Sequence, residues 1–156
     1  MTVDLESAGT PGSRKDRLRR IEALAIRDAL AAAVRAGGID GVIVAGDLNL
    51  VASRDPLDIL AAGPEVDGSA LQVLLPLRLD GASATTWEDP AQPFTPGRLD
   101  FVLVGDGALA VTGGFVFRAG DLSPAWRTQH GVDAEASSAT DHLPIVTDLR
   151  WRTAPR

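Results

Sequence analysis

The chain has 156 residues, a hydrophobic share of 45%, a formal net charge of −6 and no cysteine. That length suits one domain with one core, and the absence of thiols excludes disulfides, zinc–thiolate sites and cysteine nucleophiles. No apolar run approaches the roughly 20 residues that cross a bilayer, and the negative balance disfavours loose association with nucleic acid through counterion release.

Residues 1–12 are polar and loop-like and are expected to form a flexible N-terminal segment ahead of a domain over 13–152. They hold no apolar leader core, so a cytoplasmic location is the default, and a secreted one follows if the natural N-terminus lies upstream. Ser13 to Asp16 resembles a capping box, and Leu18, Ile21, Ala25 and Ala29 then recur at helical spacing. Ile26, Leu30 and Ala33 widen that face, which predicts a helix buried over much of its girth. Gly37-Gly38 ends it. The basic cluster Arg14, Lys15, Arg17, Arg19 and Arg20 reads as the solvated start of this helix, and it also keeps a nucleic-acid substrate open.

The strand Val42 to Ala45 follows at once, the αβ unit of a layered α/β domain. Asp55 reads as an N-cap with Pro56 at the first helical position, opening a short helix that Gly63 closes. Leu71 to Leu79 is apolar but ambiguous, interrupted by Pro76. Asp80 to Gly97, carrying Pro90, Pro93 and Pro96, predicts a long surface loop of the kind that is often functional. Three strands are expected after it: Leu99 to Val104, Leu109 to Arg118 and Leu143 to Trp151. Lys15 is the single lysine, and the preference for arginine points to a GC-rich, bacterial coding sequence.

Three short motifs carry the chemistry. Gly46-Asp47-Leu48-Asn49 lies just past a buried strand, where alternate residues reach the cleft that α/β folds use for ligands. An Asp there can orient and deprotonate a water, and an Asn can donate to a phosphate oxygen without adding a second negative charge. The same residues also form ordinary turns. In Thr140-Asp141-His142-Leu143-Pro144, adjacent side chains on an extended segment point apart, so Asp141 cannot easily orient His142. A carboxylate from elsewhere must do so, and Asp100, in Arg98-Leu99-Asp100-Phe101, is the natural candidate. Asp141 is then free to bind a metal or the water. Arg98 contacts phosphate or forms a structural salt bridge. Trp87 and Phe94 either line a substrate pocket or cover the sheet edge. His130 reads as a solvated loop histidine, and Trp126 and Trp151 as packing residues.

In order and context these three motifs resemble the endonuclease/exonuclease/phosphatase family, over about Arg17 to Trp151. Thr86-Trp87 and Asp55-Pro56-Leu57 also look like its pattern. The resemblance implies a four-layer α/β sandwich with a mixed, largely antiparallel sheet and flanking helices. It implies metal-dependent hydrolysis of phosphate esters, of phosphodiesterase, nuclease or phosphatase type, with Mg²⁺ or Mn²⁺. Carried over by position, Asp47 activates water, Asn49 holds the phosphate, His142 assists while oriented by Asp100, and Asp141 binds metal or water.

The resemblance also implies an earlier half that supplies a metal-binding Glu, an Asn and often a second His. Asp4 and Glu6 are the only acidic residues in residues 1–12, and neither follows an apolar strand. The chain is therefore expected to be the C-terminal half of the domain, with an apolar sheet face left open to self-association. The alternative is a catalytically incomplete remnant that binds a phosphate ligand or a partner without turnover.

Overall fold

A four-stranded sheet carries the fold, in the strand order β1 (Thr2–Asp4), β2 (Ile43–Asp47), β4 (Asp100–Val104), β3 (Gln72–Leu74). The computed structural model describes residues 1–51, 53–63 and 69–152. β1 runs parallel to β2, and the other two pairings are antiparallel, so the sheet is mixed. A second sheet pairs β5 (Leu109–Val116) with β6 (Ile145–Trp151), with an irregularity in register between Val111 and Gly113. Helices α1 (Arg14–Ala36), α2 (Asp55–Ala61) and α3 (Pro124–His130) complete the elements with a 3₁₀ turn at Ala119–Asp121. This is an α/β fold with a mixed sheet and flanking helices.

The sheet is covered on both faces. Ala23, Leu30 and Val34 of α1 and Leu57 and Leu60 of α2 join Val44, Phe101 and Leu103 in one core cluster. On the opposite face Leu74, Val102 and Val104 pack with Leu109 of the second sheet, flanked by Ile145 and Leu149. The apolar face expected to lie open is therefore largely occupied by β5 and β6. Its β2 margin is less protected, with Ile43 exposed.

Two expectations are corrected. Within the segment expected to be flexible, Thr2–Asp4 is a strand, and it sits against the central β2. Such a short strand has almost no periodic signal of its own, and the neighbouring ladder defines it. The segment after it is tied down by Arg19, which donates to the carbonyls of Glu6 (3.0 Å) and Ala8 (2.6 Å). Second, α1 begins at the expected cap, with the Ser13 hydroxyl accepting from the Asp16 N–H, but buries a different stripe. Asp16, Arg19, Ala23, Leu30 and Val34 are inside, whereas Leu18, Ile21, Ala25 and Ala29 are exposed. An apolar count misses a stripe that begins with a buried ion pair. The sequence reading also has no counterpart of α3, where His130 is the last helical residue and packs against the Trp126 ring at 4.2 Å between centroids.

One glycine decides how β1 reaches the site. A Cβ at Gly46, whose φ is 145°, would collide with the Val3 carbonyl oxygen, so only glycine lets β1 lie this close to β2.

Candidate active site

The sheet register assembles the site. Asp47 of β2 stands opposite Asp100 of β4 and level with Asp4 of β1, so three carboxylates form one row across the end of the sheet. Leu48 is fully buried and its N–H donates to the Leu99 carbonyl at 2.9 Å, pinning the chain just past β2. The next residue, Asn49, has φ 46°, a left-handed conformation that asparagine tolerates better than most residues. The Asp47 carboxylate stabilises this turn by accepting the Asn49 N–H at 2.7 Å.

His142 completes the group. Its Nδ1 lies 2.9 Å from Asp100 Oδ2, and its Nε2 lies 3.8 Å from Asp47 Oδ2. The imidazole therefore bridges the two opposed carboxylates, bonded to one and separated from the other by a short gap. The sequence had singled out Asp100, at the start of its strand, as a partner for His142, and the two side chains are in hydrogen-bond contact. The backbone of this segment is held by Thr86 and Trp87. Buried Thr86 accepts the N–H groups of Leu99 and Asp100 at its hydroxyl, both at 3.0 Å, and takes the Leu143 N–H at its carbonyl at 2.7 Å. Trp87 bridges Gly97 on one side and His142 on the other.

Charge and burial shift the titration of this group. Burial raises the Asp47 carboxyl above the usual range; the Asn49 N–H opposes it, and the nearby negative charges of Asp100 and Asp4 add to it. For His142, burial lowers the imidazolium, but the Asp100 hydrogen bond and the charges of Asp100, Asp47 and Asp141 outweigh it, leaving a net rise. The result is a carboxylate more basic than usual facing an imidazole that holds its proton more firmly than usual.

The remaining expected residues sit differently. Asn49 is 7% exposed and its amide donates to the Leu5 carbonyl at 2.8 Å, so part of its hydrogen-bonding capacity clasps β1 to the site. The Asp141 carboxylate does not join the row: Oδ2 accepts from the Trp87 indole at 2.7 Å, and that bond lowers its pKa against a small opposing effect of burial. Arg98 forms no ion pair among the described residues. Its Nη2 donates to the Pro76 carbonyl, its guanidinium lies 6.0 Å from the Phe101 ring centroid, and its Nε and Nη1 are buried without a hydrogen-bond partner. Trp87, Phe94, Arg98, Asn49 and His142 share one cavity of about 480 Å³. A larger one, about 640 Å³, lies beside Asp141, Glu88 and Arg127.

Asp4 is the residue the sequence reading undervalued. It belongs to a strand after all, one that only the pairing with β2 reveals. Among the described residues no group of three or more His, Asp or Glu side chains is poised to hold a metal ion. No described helix is long and apolar enough to cross a membrane.

The geometry agrees with the comparison of sequences. The chain belongs to the Endonuclease/Exonuclease/phosphatase family, whose model matches residues 6–142. Members of that family hydrolyse phosphate esters, generally with a divalent cation. No curated protein matches the chain.

Proposed function

We propose that the chain hydrolyses phosphate esters in a reaction dependent on Mg²⁺ or Mn²⁺, with Asp47 activating the attacking water and His142, oriented by Asp100, assisting at the phosphoryl group. The bridge from Asp100 through His142 toward Asp47 is the observation that carries this reading. At 3.8 Å, Nε2 and Oδ2 are too far apart for a direct hydrogen bond, and the gap suits an oxygen that touches both. Asp47 takes the proton of a water placed there, its raised pKa making it a better base than an ordinary carboxylate. His142, whose proton the Asp100 contact holds more firmly than usual, donates a hydrogen bond to the phosphoryl oxygen as charge develops. Asn49 and Arg98, on the same cavity wall, hold the ester.

The donor chemistry is all oxygen and nitrogen, with no thiolate, which suits a hard cation. Asp141, exposed and with one oxygen not committed to Trp87, would supply a carboxylate ligand, and water and substrate oxygens the rest. When bound, the cation would neutralise charge on the phosphate. The absence of a three-residue ligand group among the described residues favours a second reading, an incomplete site that binds phosphate ligands or a partner without turnover.

Hydrolysis of bis(p-nitrophenyl) phosphate with Mg²⁺ or Mn²⁺ separates the two. The expected result is turnover that falls about a hundredfold or more in Asp47→Ala and in His142→Ala. Phosphate binding that needs Asn49, with no turnover under either cation, would establish the second reading.

A further inference from the structure

We infer that the ester accepted at this site carries a planar aromatic group, seated in the cavity between Trp87 and Phe94. The inference rests on the phosphoesterase reading and names its substrate class. The cavity of about 480 Å³ opens from the catalytic group, since Asn49 and His142 form part of its wall. Its volume lies within the range of small-ligand sites. Beyond them its walls are mainly apolar: Leu50, Val51 and Leu99 with the two aromatic rings. Among the described residues Arg98 and His142 are the only ionisable side chains lining it, so a polyol or a multiply charged group would lose its water there without adequate compensation.

The two rings are held in different ways. Trp87 is fixed by its indole hydrogen bond to Asp141 and by backbone bridges to Gly97 and His142, so it offers a flat surface at little entropic cost. Phe94 is 66% exposed, above every other large apolar side chain exposed among the described residues. It sits between Pro93 and Pro96, which restrict how far it can fold back onto the protein. An aromatic guest stacked against Phe94 removes that ring from water as well as its own. Arg98 adds specificity. Its guanidinium lines the wall, and the positive charge favours a ring that carries acceptor atoms. A nucleobase and a nitro-substituted arene both offer that combination.

Equilibrium binding with Mg²⁺ present tests this, using phenyl phosphate, methyl phosphate, p-nitrophenyl phosphate and a nucleoside 5′-monophosphate. Phenyl phosphate should bind about tenfold or more tightly than methyl phosphate. Phe94→Ala, an exposed loop substitution that leaves the core intact, should shrink that ratio to about threefold or less. A nucleoside monophosphate that outbinds p-nitrophenyl phosphate supports the inference and assigns the ring to a base; the reverse order supports it and assigns a simple arene. Equal affinity for phenyl and methyl phosphate overturns the inference and leaves the phosphoesterase reading in place. No binding of any phosphate overturns both.

Discussion

Along the ladder of β2 and β4, Val44 stands opposite Leu103 and both are fully buried, whereas three residues further on Asp47 stands opposite Asp100. The same two strands thus make a packed apolar pair at one point and a repelling acidic pair at another. Like charges set directly across a sheet are destabilising, and nothing in the packing of the fold requires them. The core pair explains why the sheet forms, and the acidic pair marks where the same ladder gives stability up. α1 repeats the contrast within one helix: Leu30 and Val34 fill the core, while Asp16 and Arg19 near its start are equally buried but ionic.

Breaking the ionic end of α1 should have the largest effect on stability. Arg19 is fully buried, 3.5 Å from Asp16, and its Nη1 holds the carbonyls of Glu6 and Ala8 in the segment after β1. Arg19→Ala should cost about 3–5 kcal/mol in urea unfolding, because it empties a buried site, leaves the buried Asp16 carboxylate to Arg20 and the Gly12 N–H, and frees the loop. Leu103→Ala should cost roughly 2–5 kcal/mol through the cavity it leaves, with turnover per folded molecule unchanged. If Leu103→Ala also lowers turnover in the folded fraction, packing and catalysis are not separable as drawn.

The acidic end should respond with the opposite sign. Asp47→Asn retains an acceptor for the Asn49 N–H while removing the charge beside Asp100 and Asp4, and should raise the melting temperature by about 2–4 °C at neutral pH, on a gain of up to about 1 kcal/mol. Its pH dependence follows from the raised carboxyl. The folded pKa lies above the ordinary value of 3.8, so the charged form penalises the native state at neutral pH. As pH falls through the folded pKa the penalty is relieved, and the variant's advantage should vanish near pH 3.8. An advantage that grows on acidification would show that Asp47 is stabilised by its surroundings.

These contrasts also mark what the sequence made legible. α1 and its cap, β2, β4 and the last two strands follow from periodicity and punctuation, because each is long enough to carry a pattern. The pairing of His142 with Asp100 was accessible too, since alternation on an extended segment turns Asp141 away. β1 was not, because its three residues become a strand only against β2, and with it went the place of Asp4. The buried face of α1 was misread because Asp16 and Arg19 look like surface residues until the loop carbonyls that Arg19 binds are seen. Asn49 and Arg98 show the same limit. Residue type suggested phosphate contacts, for Arg98 beside a structural salt bridge, while the bonds that both also make, to the carbonyls of Leu5 and Pro76, depend on chain segments remote in sequence.

The central claim is that Asp47 and His142, with Asp100 behind the imidazole, act as one proton-transfer unit. A double-substitution cycle on the rate of phosphodiester hydrolysis tests it most directly. Asp47→Ala, His142→Ala and the pair together should each fall to about the same residual rate, because removing either member already disables the unit. Losses that multiply, or a rate left unchanged by either substitution, would contradict it.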